Sequence, residues 1–274
     1  MSDTRLLEHV WPWIEQQFGF ALRDAVTDGP IVASLAESAQ HPLFAIRAGS
    51  IVAVAAREEW VGAIRSIVED LHPDLLFSVV GTYELSRVTL PDDVSVWGPV
   101  PCYVADRTTW KSVDDDRPAR LSPEQVGEID WSLFWHCGGP NSLAHFGIYE
   151  DSRLIALSSL SDHGHNIWEI GVDVAPDLKA RGLGTAVVGA AGDFALAEGA
   201  VLYASAALWN VPSGRNLRRM GMRYAYSAML GRPGPFLVQP QPIGEPLPGT
   251  PLYDYYPRWA MNKGIRERAA RLME

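Results

Sequence analysis

The sequence has 274 residues, enough for one large domain or two ordinary ones. Apolar residues make up 47% and charged residues 20%, the balance of a soluble globular protein, and no apolar run approaches the roughly 20 residues that span a bilayer. A net charge of −10 without a dense basic stretch argues against a nucleic-acid partner, and the two cysteines, Cys102 and Cys137, make neither a disulfide framework nor a metal-ligand spacing.

The opening residues lack the charged-then-apolar pattern of a secretory signal, so the expectation is a cytoplasmic protein with no membrane partner. Leu6, Leu7, Val10, Trp11, Ile14 and Phe18 predict a helix over 5–18, with Pro12 marking a kink or a start. Two strands, 43–47 and 51–55, flank a turn at Ala48-Gly49-Ser50, and a helix over 58–71 stops at His72-Pro73. The apolar run 75–80 reads as another strand. The segments 82–90 and 94–104 have no firm type, the second being interrupted by Pro99 and Pro101. Residues 1–112 therefore make an N-terminal α+β domain in which no motif carries chemistry, and its plain reading is a packing or substrate-pocket domain.

The acidic run before Pro118 reads as a linker, and a second domain over 118–232 opens at Ser122-Pro123-Glu124-Gln125. Ser122 suits an N-cap, Pro123 the first helical position, and Gln125 completes a capping box for a helix reaching about Trp135. A hairpin turns at Glu150-Asp151-Ser152 and a second turn occupies 161–166. Ile170, Val172 and Val174 alternate with Glu169, Gly171 and Asp173, which predicts a two-faced strand over 168–174 ended by Pro176. A helix follows from Ala186, then an apolar strand over 201–209, a helix capped by Ser213, and a last strand over 223–230. Residues 233–274 form a proline-rich extension and a short helix over 258–274.

The stretch with chemical meaning is Lys179-Ala180-Arg181-Gly182-Leu183-Gly184-Thr185, between strand and helix. A helix N-terminus offers unpaired N–H groups and the positive end of the macrodipole, and glycines let a ligand approach the backbone. With Lys179 and Arg181 beside it, the turn suits a phosphate or pyrophosphate. No Gly-Lys-Ser/Thr follows, which excludes a P-loop, and Val187 occupies the third glycine position of a dinucleotide fingerprint.

This stretch resembles the pyrophosphate loop of the GNAT N-acetyltransferase superfamily, Gln/Arg-x-x-Gly-x-Gly/Ala after a strand, with Lys179, Gly182 and Gly184 in the three places. Asn210, the short helix after it and Met220-Gly221-Met222 match a second family patch about 30 residues on, and the resemblance covers roughly 120–232. The run Glu169-Ile-x-x-Asp173-x-x-Pro176 is similar to the branch with an N-terminal extension that includes zwittermicin A resistance acetyltransferases. The resemblance implies an α/β (α+β) GNAT fold with a mixed, mostly antiparallel sheet, and allows the N-terminal domain to be a degenerate half-copy.

It further implies acetyl-CoA as co-substrate, with no metal. In the family a backbone N–H on the strand before the loop polarises the acetyl carbonyl, and splayed strands four and five admit the pantetheine arm. By resemblance Val172, Asp173 and Val174 make those backbone contacts, residues 179–185 hold the pyrophosphate, and Asn210 and Ser213 complete the cofactor side. Glu169 is the first candidate base and Asp173 the second; the plain reading of each is a strand carboxylate facing solvent. Many relatives carry a Tyr general acid where this chain has Leu217, leaving Tyr203, Ser205, Tyr224 or a water for that task. His163, His165 and Trp135-His136-Cys137 fall where substrate loops lie, although hydrogen-bonded structure is their plainer reading.

The expected function is direct acetyl transfer to the amine of a small molecule, an antibiotic or an amino-acid-like metabolite, by a monomer or homodimer. The alternatives are a non-catalytic acyl-CoA sensor and a protein N-acetyltransferase. The acceptor is not readable, because specificity rests in the loops 136–146 and 161–167 and in the N-terminal domain.

Overall fold

The structure is a computed structural model and describes residues 4–25, 29–175, 178, 181–208 and 210–235. Lys179, Ala180, Pro176 and the proposed helix over 258–274 lie outside the described residues.

In chain order the elements are helix α1 (Thr4–Phe18), strands β1 (Ile31–Ser34), β2 (Leu43–Ala48) and β3 (Ile51–Ala56), and helices α2 (Glu58–Asp70), α3 (Pro73–Leu76) and α4 (Val79–Thr89). Strand β4 (Val94–Ala105), strand β5 (Ala119–Arg120), helix α5 (Pro123–Gly127) and strands β6 (Ala144–Glu150), β7 (Arg153–Asp162) and β8 (Ile167–Val174) follow. Helix α6 (Leu183–Ala197), strand β9 (Val201–Ser205), helix α7 (Val211–Arg219) and strand β10 (Arg223–Pro233) complete the described fold. Mixed sheet with flanking helices is the expected class.

The chain divides into two compact units, neither of them continuous in sequence. One takes the chain up to Trp13, then Cys102–Ala206 and Pro212–Ala225; the other takes Ile14–Pro101, Ala207–Val211 and the chain from Tyr226 on.

In the first unit the strand order is β4-β9-β8-β7-β6-β5, with β8 and β9 parallel and the other pairs antiparallel. Alternation along β8 sorts its side chains by face. Ile170 joins Val188, Ala191 and Ala195 of α6 and Leu202 and Ala204 of β9 in one apolar cluster, with Trp168 and Val172 at its margin. Small residues let α6 lie close: a Cβ at Gly192 would meet the Trp110 indole at 2.1 Å, and that indole donates to Asp193 at 2.8 Å. The odd-numbered residues, Glu169, Gly171 and Asp173, face the opposite side, where Leu157, Phe134 and Cys137 form a smaller core.

In the second unit the order is β1-β3-β2-β10, with β1 parallel to β3. Leu43, Ala45, Val52 and Val54 of the β2–β3 hairpin pack with Trp60, Ile64 and Val68 of α2, which matches the periodicity read from the sequence.

Five local expectations are corrected. The run 75–80 is helical, in α3 and the start of α4, because Ser78 accepts from the Val80 N–H at 3.1 Å and caps a new helix. Strand β4 runs unbroken through Pro99 and Pro101; two residues apart, they leave both missing N–H groups on one edge, and the β9 ladder begins only at Cys102. The capping box at Ser122–Gln125 forms, but α5 ends at Gly127 and does not reach Trp135. Beyond it Asp130 accepts from both the backbone N–H and the hydroxyl of Ser132, a local turn that competes with helix. Strand β9 ends at Ser205, and α7 begins at Val211, so Ser213 lies inside the helix and does not cap it.

Candidate acyl-transfer site

The β8–β9 ladder pairs Ile167 with Val201, Trp168 with Leu202 and Glu169 with Tyr203, and ends there. Strand β8 continues to Val174, still paired with β7 through Val174 and Ala156. Strand β9 continues to Ser205, paired on its other side with β4. The two strands therefore part after Glu169 and Tyr203, and the β9-facing edge of β8 at 170–174 has no ladder partner among the described residues. The backbone groups on this half-buried edge are open to a partner, water or a ligand. Val172, Asp173 and Val174 all lie on this open length.

Helix α6 begins beside it. Gly182 is the N-cap, at φ 77°, a left-handed conformation that suits glycine. A Cβ at Gly182 would meet nothing within 4 Å, and one at Gly184 would touch only Val174 and Val172, at 3.4 and 3.8 Å. Leu183 is buried under the sheet and anchors the turn. The Thr185 hydroxyl donates to Asn216 Oδ1 at 2.7 Å, which ties the first turn of α6 to α7. The Arg181 guanidinium leans toward Glu150 at 3.4 Å in a loose pair with both side chains about half exposed.

The odd face of β8 carries the titratable groups. Glu169 Oε2 lies 2.7 Å from His163 Nε2. The His163 ring meets Trp13 edge-on with centroids 5.6 Å apart, and lies 5.6 Å from Tyr203, which is paired with Glu169 across the strands. Tyr203 is buried and its hydroxyl donates to Cys102 Sγ at 3.2 Å. Four residues along, about 13 Å by strand rise, Asp173 accepts the His136 backbone N–H at 2.7 Å and faces its ring Nδ1 at 2.6 Å. His136 belongs to a 3-10 turn, Trp135–Cys137, laid on β8 over Gly171. Burial pushes the Cys137 thiol far up, the Asp173 charge adds to this, and Sγ donates to the Leu157 carbonyl. Cys137 is thus a protonated structural thiol.

Residues 108–222 match the profile of the Acetyltransferase (GNAT) family. They are a GNAT acetyltransferase domain. Among solved structures the chain is similar to a protein assigned to the GNAT family from Novosphingobium aromaticivorans, at 20% identity and a TM-score of 0.43 over 51% of this chain and 66% of that one. It is also similar to a GCN5-related N-acetyltransferase from Kribbella flavida, at 16% identity and 0.43 over 55% and 64%, and to a GNAT acetyltransferase from Colwellia psychrerythraea, at 14% and 0.41 over 53% and 59%. The matched part spans less than two thirds of each of those chains. None of the curated proteins matches.

Within the GNAT domain the structure brings Val172, Asp173, Val174, Gly182, Leu183, Gly184 and Thr185 to one end of β8. Asn210 directly precedes α7 and its N–H bonds the Ala207 carbonyl at 2.8 Å. Leu217 is 2% exposed and packs in the α6 core, so no proton donor stands at that position. Three partners escaped sequence reasoning: Asn216 on Thr185, Trp13 on His163, and the His136–Asp173 pair. Each joins residues 31 or more positions apart, with no local pattern to announce it. No group of three or more metal-ligating side chains occurs among the described residues, and no described helix is long and apolar enough to cross a membrane.

Proposed function

We propose that this protein transfers the acetyl group of acetyl-CoA directly to the amine of a small molecule, through a ternary complex. The observation that carries the reading is the parting of β8 from β9 after Glu169, next to the glycine-capped start of α6. The open edge at 172–174 has the backbone groups to hold an acyl chain and polarise its carbonyl, and the N-terminus of α6 has the dipole and free approach that a pyrophosphate needs. In this reading Gly182, Leu183, Gly184 and Thr185 hold the pyrophosphate with Arg181, Lys179 and Ala180, and Asn210 and Ser213 line the cofactor side.

When bound, acetyl-CoA supplies the activated thioester. The chain's own residues orient the amine and remove its proton. Glu169 and Asp173 lie on the face of β8 away from α6, and each holds an imidazole, so proton removal belongs to that face. Tyr203 bonds Cys102 and is buried; as a proton source for the leaving thiolate it competes with water. Two free, buried cysteines fit the reducing cytoplasm.

A second reading, an acyl-CoA-binding module without turnover, is favoured by Leu217 in the α6 core, where relatives carry a Tyr. Calorimetric titration with acetyl-CoA, run beside free-thiol release over a panel of primary amines and peptides, separates the readings. Binding with release supports the transferase and ranks its acceptors. Binding without release leaves the module, and no binding overturns both.

A further inference from the structure

Two imidazole–carboxylate pairs stand on one face of β8, on either side of Gly171, and they are built differently. In the first, Glu169 is the outer member, at 35% side-chain exposure, while His163, at 20%, is enclosed by Trp13 and Tyr203. It sits where β8 and β9 are still paired. In the second the order is reversed: Asp173 is shielded at 13%, and His136 is open at 41%. It sits on the length of β8 that β9 has left.

Asp173 uses both oxygens on one residue. Oδ2 takes the His136 backbone N–H at 2.7 Å and Oδ1 faces ring Nδ1 at 2.6 Å. The neutral imidazole must then carry its proton on Nδ1, which leaves the Nε2 lone pair directed away from the carboxylate. The ring is further fixed by Trp135, stacked on it with centroids 3.4 Å apart. The turn that bears it is seated on the strand by glycine: a Cβ at Gly171 would lie 2.3 Å from the His136 carbonyl oxygen.

We propose that His136 is the catalytic residue that takes the proton of the acceptor ammonium, and that Asp173 is its positioning residue. This rests on the acyl-transfer reading. The ammonium N–H bond breaks and the proton passes to Nε2. The freed lone pair forms the bond to the acyl carbon as the carbonyl electrons move to oxygen. The carbonyl reforms, the C–S bond breaks, and the thiolate takes the second proton of the amine nitrogen. The imidazolium then releases its proton to solvent, so ammonium and thioester give amide, thiol and one proton.

The described groups around His136 leave Asp173 as its one charged contact. Strand β8 adds only Glu169, four residues away and held to His163. Strand β7 presents Ser159 and Ser161, both neutral. On β6, His145 is buried, which pushes it toward its neutral form. On the turn itself Cys137 stays protonated, and Asp130 beyond it is turned to Ser132.

The test uses the full chain, acetyl-CoA and the panel amine with the highest turnover. His136→Asn keeps a donor where Nδ1 stood and deletes Nε2, so the Asp173 contact survives without the base. It should lower kcat by about 100-fold or more, abolish the acidic limb of the pH profile and leave acetyl-CoA affinity unchanged. Asp173→Asn should keep that limb but lower kcat, because the carboxylate no longer fixes the Nδ1–H tautomer and the ring orientation. A His136→Asn protein with parental kcat and an intact limb overturns the proposal, as does loss of the limb in Glu169→Gln alone. Nitrogen-15 spectra of the imidazole, assigned by its absence in His136→Asn, give a readout without turnover: the Nδ1–H tautomer supports the proposal and the Nε2–H tautomer overturns it. A parent protein that binds no acetyl-CoA marks failure of the acyl-transfer reading itself.

Discussion

Gly171 lies directly beneath His136, with a Cβ at that position coming within 2.3 Å of the His136 carbonyl oxygen and 3.1 Å of the Cys137 Cα. A side chain there must push the 3-10 turn off β8, because both neighbours are backbone. Gly171→Ala is expected to cost about 1–3 kcal/mol of stability and to lower turnover as His136 moves off its place. Denaturant unfolding and amine acetylation, measured on one preparation, check both effects. A variant with parental stability would mean that the turn does not rest on the strand there.

Gly184 faces the proposed pyrophosphate site with only Val174 and Val172 near a Cβ. Gly184→Glu places a carboxylate where an anion is meant to bind, at a helix end that itself tolerates acids well. Acetyl-CoA affinity should fall by at least about tenfold, the equivalent of ~1.4 kcal/mol, while the melting temperature changes little. Unaltered affinity would remove the helix start from the site.

Asp106 anchors the loop after β4. It accepts from the Arg5 guanidinium, the Thr108 hydroxyl and the Thr108 and Thr109 backbone N–H groups. Burial opposes its charge, but these hydrogen bonds and the Arg5 charge outweigh it and hold the carboxyl well below the usual range. A depressed folded value means that its stabilisation is complete above the unfolded pKa and is lost as pH falls toward the folded one. Asp106→Asn should therefore melt lower than the parent at neutral pH, by about 1–2 kcal/mol, and the gap should narrow below about pH 4. Melting curves across that range check the sign.

Cys102 and Cys137 are both buried, and burial with the Asp173 charge keeps the Cys137 thiol protonated. Neither should react with a disulfide reagent in the native protein, and both should react after denaturation. Native-state labelling of Cys137 would contradict the packing of the 3-10 turn, and it would also disturb any thiol-release assay.

Much of this architecture was legible in the chain. The period-2 pattern at 168–174, the hairpin at Asp151-Ser152 and the glycine turn at 182–184 are local signals, and each forms as read. Runs of apolar residues were less informative. Leu75 to Val80 has no period to separate strand from helix, and the deciding feature is the Ser78 hydroxyl on the Val80 N–H. The capping box at Ser122 announced where α5 starts, whereas its end depends on the Asp130–Ser132 turn. The face of β8 that carries Glu169 and Asp173 was the least legible. Glu169 and Asp173 were visible as strand carboxylates, but their imidazole partners arrive from a turn and a loop whose positions depend on the register of the sheet.

The most direct test of the account is amide hydrogen exchange with and without acetyl-CoA. If acetyl-CoA lies along the open edge of β8 and against the start of α6, protection should rise at residues 171–174 and 182–186, with little change in β6. Unchanged exchange at both segments under saturating acetyl-CoA, or protection confined to other parts of the chain, would contradict it.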